Sequence, residues 1–230
     1  MDVGHQNAER SKIDLKEKKK MAKLSKPLCK ICRRYGEKLY LKGKRCETVK
    51  CPLDPREGKR KKGFSFIKRK KLSEYGLQLM EKNKVKFYYG VLERQFYRYF
   101  EMAKKKKGVT GENLLKLLES RLDNVIYRAN WFYSRRMAKQ AITHGQIQVN
   151  GKRVDRPGYI VKPGDVIKLH PNSKYTKKVK ECIEEYKSHI IPSWLKVDGA
   201  NLAIEIIREP ERSEVTLPVN EQLIVNFYSK

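Results

Sequence analysis

The sequence predicts an α+β chain in which a thiol-bearing knuckle and a run of helices precede a compact module of mixed helix and strand. Three observations carry that expectation. Apolar residues recur at spacings of three and four through most of residues 73–143, then at spacings of two from residue 146 onward. Asn-Gly and Pro-Gly dipeptides punctuate the later part. Four of the five cysteines fall between residues 29 and 51. A chain of 230 residues has room for one or two domains. Its 39% apolar and 35% charged composition restricts a core to part of that length.

Residues 1–26 are polar and Lys-rich and read as a disordered basic arm. Residues 27–55 form the cysteine knuckle. A basic loop follows, punctuated by Pro52, Pro55, Gly58 and Gly63. It opens a helical domain expected over 56–110. Ser73 suits the start of a long helix, and Val85, Tyr89, Leu92, Phe96 and Tyr99 make one stripe, with Gly76 and Gly90 as candidate breaks. Seven of the fifteen residues in "KFYYGVLERQFYRYF" are aromatic. At this spacing they read as core, leaving Tyr88, Tyr97, Arg94 and Arg98 for outward contact. The Lys104–Lys107 run and Gly108 read as a solvated junction between domains.

The mixed module is expected over 111–185. "TGENLLKLLESRLDNVIYRANWF" reads as one helical block capped by Thr110 or Gly111, with Leu114, Leu115, Leu118 and Leu122 inward. "SRRMAKQAITHG" has clear ends, Ser134 as N-cap and Gly145 just past the C-terminus. Its outer face is expected to carry Arg135, Arg136, Lys139 and Thr143. "QIQVNGKRV" is a hairpin, because Asn150-Gly151 supplies the positive φ angles of a type I′ turn. "DVIKLH" adds a strand after the Pro163-Gly164 turn, and "KVKECIEEYKSHI" a helix. Residues 186–230 hold a strand in "NLAIEII", a short strand in "SEVTL" and a closing segment, "NEQLIVNFYSK", that reads equally as helix or strand.

The formal net charge is +28. Residues 1–107 carry 34 basic and 12 acidic side chains, net +22; residues 108–180 are net +10 and residues 181–230 net −4. Solubility needs far less, so the expected partner is a polyanion, gripped by the first half and the middle. No apolar run is long enough to span a membrane, and no secretory or organellar leader is expected. A cytoplasmic chain keeps its thiols reduced.

Cys29-x-x-Cys32 and Cys46-x₄-Cys51 are two close pairs separated by a short loop. Disulfides conflict with a reducing compartment. A redox pair needs a βαβ context that is absent here. Four thiolates around one closed structural zinc suit the spacing, with an iron–sulfur cluster as the metal alternative. Lys and Arg nearby are expected to lower the thiol pKa values. The four histidines stay outside the cage, and Cys182 reads as an inert helical thiol. Metal binding folds a segment too charged to fold by burial. It then displays Lys30, Arg33, Arg34, Lys42, Lys44 and Arg45 to phosphates. Arg69, Lys70 and Lys71 in the basic loop, Arg94, the helix cations Arg135, Arg136 and Lys139, and the hairpin cations Lys152 and Arg153 complete the candidate polyanion contacts.

Several motifs carry a family resemblance: Arg121-Leu122-Asp123, Ser134-Arg135, His144-Gly145, Val149-Asn150-Gly151-Lys152 and Lys162-Pro163-Gly164-Asp165. They resemble the RNA-binding fold named after small-subunit ribosomal protein number four, the S-four fold. "LCKICRRYGEKLYLKG", "KLSEYGLQLMEKNKVKFYYGVLERQF" and "NEQLIVNFYSK" are similar to the bacterial ribosomal family itself, in its zinc-knuckle form, over residues 22–230. The resemblance implies a helical first domain with the RNA-binding domain inserted before a returning C-terminal segment, and adds Arg121 to the RNA contacts. It implies a non-enzymatic constituent of the small ribosomal subunit that binds ribosomal RNA early in assembly. It also implies a place near the messenger entry path beside protein number five and, in some members, repression of the protein's own messenger. Neither a membrane nor a small-molecule substrate is expected. The rivals are an RNA-modifying enzyme bearing this fold, such as a pseudouridine synthase, and a zinc-dependent nucleic-acid-binding regulator. The chain departs from the family pattern in three places. Residues 1–20 precede the usual start, the Pro-Gly-Gln-His-Gly segment is replaced by "REGKRKKGFSFIKRK", and Ala129-Asn130-Trp131 stands for Leu-Gly-Phe.

Overall fold

The computed structural model describes residues 27–54 and 72–229. The expected basic arm, most of the basic loop, and Arg69, Lys70 and Lys71 lie outside the described residues.

The knuckle opens with α1 (Leu28–Tyr35), which ends at Gly36 in the left-handed region, φ 70°. A 3₁₀ turn at Gly43–Cys46 follows. Helix α2 (Glu74–Tyr88) starts as expected, with the Gly76 N–H donating to Ser73 Oγ at 3.2 Å. The expected single stripe is broken once. Gly90 adopts φ 61°, and the Val91 N–H turns back to the Lys86 carbonyl at 2.9 Å. Gly76 stays inside the helix. Helix α3 (Glu93–Lys104) then runs back along the core.

Helix α4 (Thr110–Glu119) has Val109 at its N-cap position, without a side-chain cap, rather than Thr110 or Gly111. The expected continuous block splits here, because two residues separate its end from α5 (Leu122–Arg128). Residues around the break form backbone bonds to a distant strand-like segment instead. Leu122 N–H donates to the Tyr159 carbonyl at 2.8 Å and Val161 N–H to Ser120 at 2.9 Å. Tertiary pairing there outweighs helical continuity.

Two cores result. The first gathers Ile31 and Leu39 of the knuckle, Val85 of α2, Phe96 and Phe100 of α3, and Leu114, Leu115 and Leu118 of α4. Residues 110–119 therefore pack with the first core, one helix beyond the boundary expected at 110/111. The exposed Lys104–Lys107 run ends α3 and turns towards α4 inside that core's helix pair, and is not a junction between domains.

The second core lies against an antiparallel sheet of β1 (Ile147–Val149), β2 (Lys152–Val154), β3 (Val166–Leu169), β4 (Leu195–Asp198) and β5 (Ala203–Ile206), in the order β2-β1-β3-β5-β4. Helices α5, α6 (Arg135–Thr143) and α7 (Thr176–Glu185) supply Leu122, Ile126, Ala138, Ile142 and Val179 to it. Asn150 and Gly151 take φ 50° and 77°, as the hairpin requires, and Gly164 takes 86°. Strand β4 was not expected: only four residues stand between Pro192–Trp194 and Gly199.

The chain then returns to the first core. "SEVTL" is not a strand. A 3₁₀ turn at Arg212–Glu214, closed by a reciprocal Glu211–Glu214 capping box, delivers Val215 and Leu217 into the first core. The closing segment resolves to helix α8 (Glu221–Tyr228), which packs on α2 and α4. Among the described residues no helix is long and apolar enough to cross a membrane.

Candidate nucleic-acid interface and thiolate pocket

The expected cations divide by burial. Lys30, Arg34, Lys42, Lys44 and Arg45 on the knuckle are exposed, and Arg33 is half-buried. Arg94 and Arg98 are exposed on α3, Arg136 on α6, and Lys152 and Arg153 at the hairpin. The Arg153 guanidinium lies over Gly145, where any Cβ would meet its Nε, and it donates to the His144 carbonyl at 3.4 Å. That contact ties the hairpin to the end of α6, so Arg136, Lys152 and Arg153 belong to one continuous helix–hairpin unit. Lys44 bonds Glu185 of α7 at 2.5 Å and sits 4.4 Å over the Tyr133 ring. Beside it Gly43, at φ 62°, approaches Tyr133 so closely that a Cβ would stand 2.7 Å from its carbonyl oxygen. These contacts dock the knuckle onto the second core.

Three expected contacts face inward and are corrected. Arg121 is 2% exposed. Its guanidinium grips Asp123 through two bonds of 3.0 and 2.7 Å and donates to the Tyr99 hydroxyl at 2.7 Å. Arg135 is also buried. Its Nε donates to Asn124 at 2.7 Å, and its plane lies 4.0 Å from the Tyr88 ring and 4.3 Å from Tyr127. Lys139 reaches across the seam to the Tyr89 carbonyl at 3.2 Å and to that of Gly90, with Asp123 3.4 Å away. A guanidinium sealed this way has no donor aimed at solvent phosphate. Tyr88, expected outside, is buried under Arg135, whereas Tyr97 is exposed.

The same seam holds residues that the sequence reading did not single out. Glu119, 1% exposed, accepts from the Tyr89 hydroxyl at 2.7 Å and from Asn124 at 2.6 Å. It joins both cores through one carboxylate. Burial opposes the Asp123 charge, but Arg121 and then Lys139 outweigh it and hold the carboxyl below its ordinary range. The signal available in the sequence was polar residues on an otherwise apolar helical stripe.

Cys29, Cys32, Cys46 and Cys51 all line one small cavity of about 20 Å³. All four are free, and all but Cys29 are buried. The Lys42 N–H points at Cys46 Sγ, 3.4 Å away. The expected lowering of the thiol pKa values is reversed at Cys32 and Cys46. Burial, with neighbouring thiols adding to it, raises Cys32 to about 11 and raises Cys46 as well. The knuckle's cations face solvent, so desolvation wins. Among the described residues no three His, Cys, Asp or Glu side chains are already gathered as a metal-ligating cluster. The donor set fits a thiophilic cation in kind and in its placement around one cavity, short of a closed cage. Cys182 is buried on α7 between Tyr133 and Tyr186, apart from the others.

The chain matches two family models: "Ribosomal protein S4/S9 N-terminal domain" over residues 23–119 and "S4 domain" over residues 120–167. It is 52% identical over 210 residues to a protein of Thermodesulfovibrio yellowstonii named "Small ribosomal subunit protein uS4", covering 91% of this chain and 100% of the relative. The uS4 protein of Acetivibrio thermocellus is equally similar, 52% over 210 residues with the same coverage. The uS4A protein of Symbiobacterium thermophilum is 49% identical over 210 residues, again across 91% and 100%.

Proposed function

The chain belongs to the small ribosomal subunit protein uS4 family, and from that membership we propose how it holds its RNA. It is a ribosomal protein of the small subunit that binds ribosomal RNA, works in the cytoplasmic ribosome and is not an enzyme. The observation that carries this is identity near one half across both cores, over the whole length of the relatives.

The grip is multi-site phosphate neutralisation. Lys30, Arg33, Arg34, Lys42, Lys44 and Arg45 meet phosphates from the knuckle, Arg94 from α3, and Arg136, Lys152 and Arg153 from the helix–hairpin unit. Arg69, Lys70 and Lys71 extend it from the basic loop. Each contact releases condensed counterions, so affinity falls steeply with salt. Folded RNA helices are recognised through shape and backbone, so the two cationic surfaces must be held at a fixed separation. The seam through Glu119, Arg135 and Lys139 does that.

Cys29, Cys32, Cys46 and Cys51 hold a structural zinc, which supplies the folding free energy that a segment so rich in charge lacks. Free donors that line one cavity support it. Elemental analysis after purification without chelator tests it, with one zinc per chain expected; four titratable thiols and no metal would refute it. Finer still, the protein binds early at a junction of RNA helices, nucleates assembly, and lies beside protein number five near the messenger entry path. Family resemblance supports that placement. Co-sedimentation with small subunits through a high-salt wash tests the core reading, and loss of the chain to the supernatant would count against it.

A further inference from the structure

A cleft of about 370 Å³ opens where three parts of the chain meet: Glu47 from the knuckle, Arg128 and Asn130 at the end of α5, and Tyr186, His189 and Ile190 after α7. One side of it is an aromatic stack. The Tyr186 and His189 rings lie 4.2 Å apart and 15° from parallel. Tyr186 is buried and is braced edge-on by Tyr133 at 5.4 Å. His189 is exposed, although Tyr186 covers one of its faces.

The backbone that carries the stack is fixed. Asn130, at φ 60°, donates its Nδ2 to the carbonyls of Tyr186 at 3.4 Å and His189 at 3.3 Å. This is also where the chain departs from the Leu-Gly-Phe of its family resemblance. A ring already held in place loses little conformational freedom when another ring lands on it. The walls narrow what that ring is. Arg128, tethered by the Glu214 carbonyl at 2.6 Å and with Glu119 3.6 Å from its Nε, lines one side with its guanidinium. Glu47, whose carboxylate already acts on the Tyr186 hydroxyl, lines another; a carboxylate repels phosphate and keeps lone pairs for the amino edge of a base.

We propose that His189, backed by Tyr186, is a stacking platform for one unpaired nucleobase of the bound RNA, with Arg128 and Glu47 at the base's edge. The proposal rests on the ribosomal RNA-binding reading above. It adds a contact that differs in kind from the phosphate grip: stacking tolerates any base and responds weakly to salt, whereas charge pairing does the reverse.

The test compares the full-length wild type with His189→Ala and His189→Phe, titrated with small-subunit ribosomal RNA at several salt concentrations. His189→Ala should weaken binding by about 5- to 150-fold, the span expected for losing one base–aromatic stack. Its salt slope should match the wild type, because no phosphate contact is lost. His189→Phe should restore most of the affinity, because it restores a planar ring. Wild-type affinity in His189→Ala would overturn the platform while leaving the RNA reading intact. So would equal losses in both variants, which would make the imidazole's polar atoms, or its packing, the cause. Failure of the wild type itself to bind would overturn the underlying reading instead.

Discussion

Arg121, Arg135 and Arg136 look alike in the sequence: basic residues on or beside the helices of the mixed module. Arg136 is exposed, while the other two are sealed into the seam. Arg121→Ala leaves Asp123 buried with only Lys139 nearby, and should destabilise the fold by about 3–5 kcal/mol in urea unfolding. Arg136→Ala should leave stability within about 0.5 kcal/mol and weaken RNA binding. The reverse pattern would mean that the burial is misassigned. Glu93 gives a pH-dependent counterpart. Burial disfavours its charge, but Lys82, Lys86 and the Tyr228 hydroxyl more than compensate and hold the carboxyl at about 2. Its folded pKa is depressed below the ordinary 4.5, so its stabilisation is complete above pH 4.5 and disappears as pH falls towards 2. Glu93→Gln should therefore be less stable than the wild type at pH 6 and indistinguishable from it near pH 2, by denaturant titration at each pH. The sequence could not separate Arg135 from Arg136, because a one-residue step of 100° on a helix decides between seam and solvent.

Elements were legible where the local chemistry was strong. Ser73, Ser134, Asn150-Gly151 and Gly164 each did what their side chains or φ freedom dictate. Elements were misread where a distant segment intervened. The α4–α5 break follows from pairing with residues 159–161, and "SEVTL" is anchored by burial of Val215 and Leu217 in a core made mostly of much earlier residues. The knuckle's four cysteines were legible as a set from spacing alone. The raised pKa values of Cys32 and Cys46 were not, because charge is visible in a sequence and desolvation is not. Two predictions belong at this scale. Gly43→Ala should loosen the knuckle from the second core, costing about 1–3 kcal/mol for the left-handed backbone alone, read as lost amide protection around residues 43–46. On the proposal that the four cysteines hold zinc, a chelator should likewise strip protection from residues 28–53 while strands β1 to β5 keep theirs. Uniform loss across both would contradict a local metal role.

At the scale of the whole molecule, the chain leaves its first core at residue 119, builds a second around a five-stranded sheet, and returns to finish the first with α8. Glu119, Arg135 and Lys139 clamp the two at their shared seam, so cations on the knuckle and on the hairpin stay at a set separation. Nine of the expected contacts are exposed: Lys30, Arg34, Lys42, Lys44, Arg45, Arg94, Arg136, Lys152 and Arg153. We propose that these act together as a rigid phosphate-neutralising surface on ribosomal RNA. The most direct test is the affinity of the full-length chain for small-subunit ribosomal RNA between about 50 and 200 mM salt. Engagement of six to ten phosphates predicts a loss of about 10³- to 10⁵-fold across that range. A change of less than about tenfold would mean one or two phosphate contacts at most, and would contradict the account.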